Sequence, residues 1–68
     1  MDNVPRISLR AARVNAGLDQ KEAARELGIN RATLQNYEAG RTVPDWNIVM
    51  AIEKLYGFPA SYIFFGKN

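Results

Sequence analysis

Apolar positions along this chain recur three and four residues apart, β-branched residues are scattered, and no stretch alternates apolar with polar side chains. That spacing predicts helices and no strands, so the expected fold class is all-α, a compact bundle of five short helices in one domain over residues 1–68. A first helix is expected from Ile7 or Ser8 to Ala16, after Pro5, with Leu9, Ala12 and Ala16 inward and Gly17 as its stop. Arg6, Arg10 and Arg13 share the same spacing and are expected near one side of that helix. Asp19 starts a second helix, because its carboxylate can accept first-turn amides while Glu22, three residues on, reaches back to complete a capping box. Leu18 and Ala23 form the accompanying hydrophobic staple, and the Ala23-Ala24 pair gives the helix a thin face for close packing. It should end at Leu27, since Gly28 tolerates the left-handed conformation.

Only Gly28 and Ile29 separate that end from the next cap, Asn30, so the two helices must cross sharply instead of folding back on each other. The segment from about residue 19 to residue 39 therefore reads as a helix-turn-helix. Its second helix should run from Arg31 to Ala39 and close at Gly40, with Ile29 stapled onto Leu34. With Arg31 at 0° and about 100° per residue, Leu34 and Tyr37 fall near 300° and 240°, whereas Gln35, Ala32 and Asn36 fall near 40°, 100° and 140°. One face is core, and the other is short, polar and free of acidic side chains. Glu38, near 340°, lies on the seam, where a carboxylate requires a cation or solvent. After a loop of Arg41, Thr42 and Val43 to Pro44, Asp45 caps a fourth helix that reaches Leu55 or Tyr56 and stops at Gly57. Its inward residues are most simply Ile48, Val49, Ile52 and Leu55, with Trp46 packing near its start; Met50 and Tyr56 leave the phase open. A short helical turn at about residues 60–64 ends the chain. It crowds Tyr62, Ile63, Phe64 and Phe65 together, more apolar area than one small core absorbs, which makes Ile63, Phe64 and Phe65 the expected dimer interface.

Size sharpens this picture. A chain of 68 residues buries only about 60% of the surface its unfolded form exposes, so every apolar helix face has to be used. Without cysteine or histidine there is neither a disulfide framework nor the ordinary ligands of a zinc staple. No apolar run is long enough to span a membrane and the N-terminus lacks a signal peptide's apolar core, which leads to the expectation of a soluble, cytoplasmic protein. The net charge is only +2, but the positive excess sits in residues 1–43, the part that contains the helix-turn-helix. With no histidine, no nucleophile and base at motif spacing and no glycine-rich phosphate loop before a helix, an enzyme is not expected, nor is a metal, a cofactor or a small-molecule ligand.

The polar face of the third helix has a chemistry of its own. An α-helix fits the major groove of duplex DNA, where arginine pairs with guanine and asparagine or glutamine with adenine. Arg31, Gln35 and Asn36 supply those groups, and Ala32 is small enough to touch a thymine methyl. The first helix's amides, helped by Gln20 at the N-terminus of the second helix, are suited to holding a phosphate.

Taken with their spacing, Leu9, Arg10, Arg13, Gly17-Leu18, Gln20, Ala24, Leu27-Gly28, Arg31, Thr33, Glu38, Gly40, Pro44 and the SYIFFG segment resemble the Cro/CI-type domain of phage repressors and XRE-like bacterial regulators, the lambda-repressor-like fold. The resemblance covers roughly Leu9 to Gly66. It implies a sequence-specific transcriptional regulator, a repressor that binds a palindromic operator in double-stranded DNA as a homodimer. It also implies that Arg31, Ala32, Gln35 and Asn36 read bases, that Gln20, Asn30, Thr33 and Arg41 lie near phosphates, and that Arg13 and Glu38 form a buried structural ion pair. Two departures stand out. Asp19 replaces the family's more frequent Ser or Thr, and Glu53 occupies a position where alanine is frequent. The chain is expected to be either a complete small regulator, toward which Met1 and the Lys67-Asn68 tail lean, or the N-terminal domain of a longer repressor. A protein-interaction adaptor or antitoxin-like component on the same fold is the competing reading; the absence of acidic residues from the outer face of the third helix favours DNA.

Overall fold

The computed structural model describes residues 6–66. Four α-helices, α1 (Leu9–Asn15), α2 (Gln20–Leu27), α3 (Arg31–Glu38) and α4 (Trp46–Tyr56), precede a 3-10 turn at Ala60–Tyr62. Pro5 and the Lys67-Asn68 tail lie outside the described residues.

Local signals account for the helix ends. Ser8 Oγ accepts from the Ala11 amide at 2.9 Å to start α1, and Asp45 Oδ1 accepts from the Ile48 amide at 3.0 Å to start α4. The capping box of α2 is complete: Asp19 Oδ1 accepts from the Glu22 amide at 2.7 Å and Glu22 Oε1 accepts from the Asp19 amide at 3.0 Å. Gly28 closes α2 at φ 73°, a left-handed conformation that costs a residue with a Cβ about 1–2 kcal/mol. Helix α3 is shorter than its spacing suggested, with Ala39 as its last half-turn, and Asn30 caps it through its backbone alone: the Leu34 amide donates to the Asn30 carbonyl at 3.1 Å, and no side-chain cap bond forms.

The domain is mostly helical and fits the all-α class, but its two ends depart from the expected five helices. Ile7–Ser8 (β1) and Ile63–Phe64 (β2) pair in parallel, Ile7 opposite Ile63 and Ser8 opposite Phe64. A parallel pair needs a long crossover, and here the four helices between the strands provide it. The first helix therefore starts at Leu9, and the fifth is reduced to one 3-10 turn. Each strand has two residues, too few for an alternating pattern to register in the sequence.

The core gathers Leu9 and Ala12 of α1, Ala23, Ala24 and Leu27 of α2, Leu34 of α3, Ile52 and Tyr56 of α4, and Ile63 of β2. Leu34 and Ile52 are its largest fully buried side chains. Helix α4 turns Ile52 and Tyr56 inward and holds Ile48, Val49 and Leu55 half-buried. Trp46, expected to pack, is instead 71% exposed, and Met50 is 44% exposed. With Ile52 pointing at the core, Trp46 and Met50 stand about 120° and 160° away around the helix, so the phase that buries Tyr56 exposes both. Glu53 has a definite task, since its Oε2 accepts from the Ala60 amide at 2.8 Å and ties the 3-10 turn to α4.

Candidate nucleic-acid interface

Arg31, Ala32 and Gln35 are exposed on one side of α3, Asn36 and Thr33 are half-buried at its edges, and Leu34 anchors the opposite side. The arrangement follows from the helical period. Leu34, with Tyr37 and Glu38 beside it, takes one side of this eight-residue helix and leaves Arg31, Ala32 and Gln35 to solvent.

What fixes the direction of that face is a charged cluster beneath it. Arg13 Nε donates to Glu38 Oε2 at 2.7 Å, with the two side chains 9% and 6% exposed. Arg13 also donates through Nη1 to the Leu18 carbonyl at 2.9 Å and through Nη2 to Glu38 Oε1 at 3.4 Å. The guanidinium thus joins α1, the loop before α2 and the end of α3, which a point-like ammonium could not do. Tyr56 approaches the same cluster from α4. Burial, reinforced by the nearby Glu38 carboxylate and opposed by Arg13, pushes its phenol up to about 12, and its Oη has no hydrogen-bond partner among the described residues.

Gln20 is half-buried and bonded on both ends. Its Nε2 donates to Glu38 Oε1 at 2.9 Å, and its Oε1 accepts from Arg31 Nε and from Gln35 Nε2, each at 3.3 Å. The structure thus brings Arg13, Glu38, Gln20, Arg31 and Gln35 into one connected group. Arg41 joins the far end of the face, donating from Nη1 to Asn36 Oδ1 at 3.3 Å. Asn30 is exposed at the head of the helix. Sequence reasoning placed Gln20 near the DNA but did not anticipate its bonds to Glu38, Arg31 and Gln35. The signal lay in its position one residue after the Asp19 cap, at the end of α2 that faces the seam of α3.

Other expectations do not hold together in space. Arg6 lies ahead of α1 with its guanidinium 5.7 Å from the centre of the Phe64 ring, Arg13 is buried, and Arg10 alone of the three is an exposed helix position, so they form no common stripe. Ile63, expected at a dimer interface, is 4% exposed and belongs to the chain's own core, because pairing with Ile7 turns it inward. Phe64 keeps 37% exposure and Phe65 is half-buried. Other large apolar side chains are more exposed than these: Val43 in the loop after α3 at 63%, and Trp46 and Met50 on α4 at 71% and 44%. Among the described residues no cluster of acidic side chains is arranged to hold a metal ion, and no helix is long and apolar enough to cross a membrane.

The HTH-type transcriptional regulator ImmR of Bacillus subtilis (strain 168) is 38% identical over 60 residues, covering 88% of this chain and 46% of ImmR; the chain thus spans about half the length of that relative. No solved structure matches the chain significantly. A family profile described as a helix-turn-helix domain matches residues 7–61, a range that takes in all four helices and the buried Arg13–Glu38 pair. On the family match and the ImmR relative together, the chain belongs to the helix-turn-helix domain family, of the XRE-like kind.

Proposed function

We propose that this chain is the DNA-binding module of a transcriptional repressor, with α3 seated in the major groove of a palindromic operator and two copies related by a two-fold axis. The observation that carries the reading is the acid-free face of Arg31, Ala32, Gln35 and Asn36, held by a buried ion pair on a helix too short to need that face for folding. Arg31 and Gln35 are suited to reading guanine and adenine edges, and Ala32 allows the backbone to approach. Asn30, Thr33 and Arg41 flank the face where phosphates would run. The ImmR relative, a transcriptional regulator by name, supports regulation as the purpose. One α3 reads too few base pairs for specificity, which is the reason for two copies. Phe64, Val43, Trp46 and Met50 are among the exposed apolar side chains available to a second copy.

Selection from a random duplex pool tests the reading. An inverted repeat with half-site centres about one helical turn apart is expected. Arg31→Ala or Gln35→Ala should cost roughly 1–3 kcal/mol at particular base pairs, on top of a marked salt dependence of binding. A pool that returns no enriched sequence, with no binding at low salt, would overturn it.

A further inference from the structure

Gln20 occupies a position from which a neutral amide would be expected to hold a phosphate, yet both ends of its side chain are engaged within the protein. We infer that Gln20 is a positioning residue for base recognition: anchored on Glu38, it holds Arg31 and Gln35 through one shared oxygen, so that the bases opposite these two side chains are read as a linked pair. The inference rests on the proposed docking of α3 in the major groove.

The argument begins at the buried end. The Glu38 carboxylate, ion-paired with Arg13, only accepts hydrogen bonds, so the Gln20 group that faces it at 2.9 Å must be the NH2. This fixes which way the amide is turned, and Oε1 is left pointing at the start of α3. There it accepts from Arg31 Nε and Gln35 Nε2, side chains four positions apart and therefore one turn apart on the same face.

Each bond dictates what the recognition side chain can still offer. Arg31, committed at Nε, keeps both terminal nitrogens forward, the pair needed for the O6 and N7 acceptors of guanine. Gln35, committed through one N–H, keeps its oxygen and its second N–H, the acceptor and donor that match N6 and N7 of adenine. The polarity set by a buried carboxylate is thus passed through one amide to the reading edges of two others. Because a single oxygen holds both, a shift of one side chain alters the hold on the other. Preferences at the two base positions should then be non-additive, as they are for groups sharing a hydrogen-bond network.

The experiment compares the wild-type chain with Gln20→Leu and with the exchanged pair Gln20→Glu/Glu38→Gln, each first shown folded by circular dichroism. Affinity is measured for the selected wild-type site, for its single and double variants at the two base positions, and for a scrambled duplex. Gln20→Leu should weaken the selected site about tenfold, flatten discrimination at those positions and abolish their non-additivity, while binding to the scrambled duplex changes less than about twofold. The exchanged pair keeps an acceptor facing Arg31 and Gln35 and reverses the buried bond, the amide introduced at position 38 donating to the carboxylate introduced at position 20, so it should recover much of the discrimination even though its moved charge lowers affinity throughout. Without DNA, Gln20→Leu should shift the side-chain N–H resonances of Arg31 and Gln35. Equal losses on the selected and scrambled duplexes would mean a phosphate anchor and overturn the inference; so would unchanged discrimination together with unmoved resonances. A wild-type pool with no enriched sequence would instead defeat the proposed function, leaving the resonance shifts to judge the positioning role by themselves.

Discussion

Arg13→Met is the perturbation that most directly tests how the recognition helix is held. The substitution keeps the length of the aliphatic stem but removes donors to Glu38 Oε2 at 2.7 Å, to Glu38 Oε1 at 3.4 Å and to the Leu18 carbonyl at 2.9 Å. Glu38, whose side chain is 6% exposed, is left with the Gln20 amide as its one remaining partner among the described residues. Losing one member of such a pair costs about 3–5 kcal/mol, because the survivor is a desolvated charge without compensation. A domain of 68 residues has roughly 3–10 kcal/mol of stability in total, so the variant should lose about a third of its stability or more. The paired change Arg13→Met/Glu38→Leu removes the stranded charge and should recover part of the loss, with about 1–3 kcal/mol still missing because the Leu18 carbonyl and the Gln20 amide lose partners. Urea melts followed by far-ultraviolet circular dichroism are the assay. Trp46 is 71% exposed in the folded chain, so its emission reports unfolding poorly. A loss below about 1 kcal/mol for Arg13→Met, or a double variant less stable than the single one, would refute the claim that the pair is desolvated and coupled.

Two further outcomes follow from the same packing. Burial holds the Tyr56 phenol up to about 12 against an ordinary value of 10.0, so its proton is bound more tightly in the folded chain; the contribution is intact below pH 10 and is lost as pH rises toward 12. Tyr56→Phe should therefore leave stability at neutral pH unchanged or slightly raised, since Oη has no partner to lose, and should flatten the fall between pH 10 and 12 in urea melts; an equally steep fall would show that Tyr56 is not its source. Asp19→Ala removes one half of the capping box and should cost about 1 kcal/mol in thermal or urea melts without altering base preference in a duplex selection. A changed preference would mean that Asp19 contributes to the interface.

The sequence by itself determined most features that depend on a few neighbouring residues, though not the missing side-chain cap bond of Asn30. Asp19 with Glu22, Asp45, Gly28 and Gly57 mark helix ends because capping and left-handed closure are satisfied within one turn. The polar face of α3 was legible for a similar reason: one helical period separates Leu34 from Arg31, Ala32, Gln35 and Asn36. Tertiary structure alone decided the rest. Ile7 meets Ile63 only after four helices have brought the ends of the domain together, so a parallel pair replaced a fifth helix and took Ile63 into the core. The phase of α4 was open between Met50 and Tyr56 until packing against α1 and α2 chose Tyr56, which also left Trp46 outside. The seam position of Glu38 announced the need for a cation, and the resemblance suggested Arg13. The role of Gln20, however, depends on three helices meeting at one carboxylate, a geometry that no local spacing encodes.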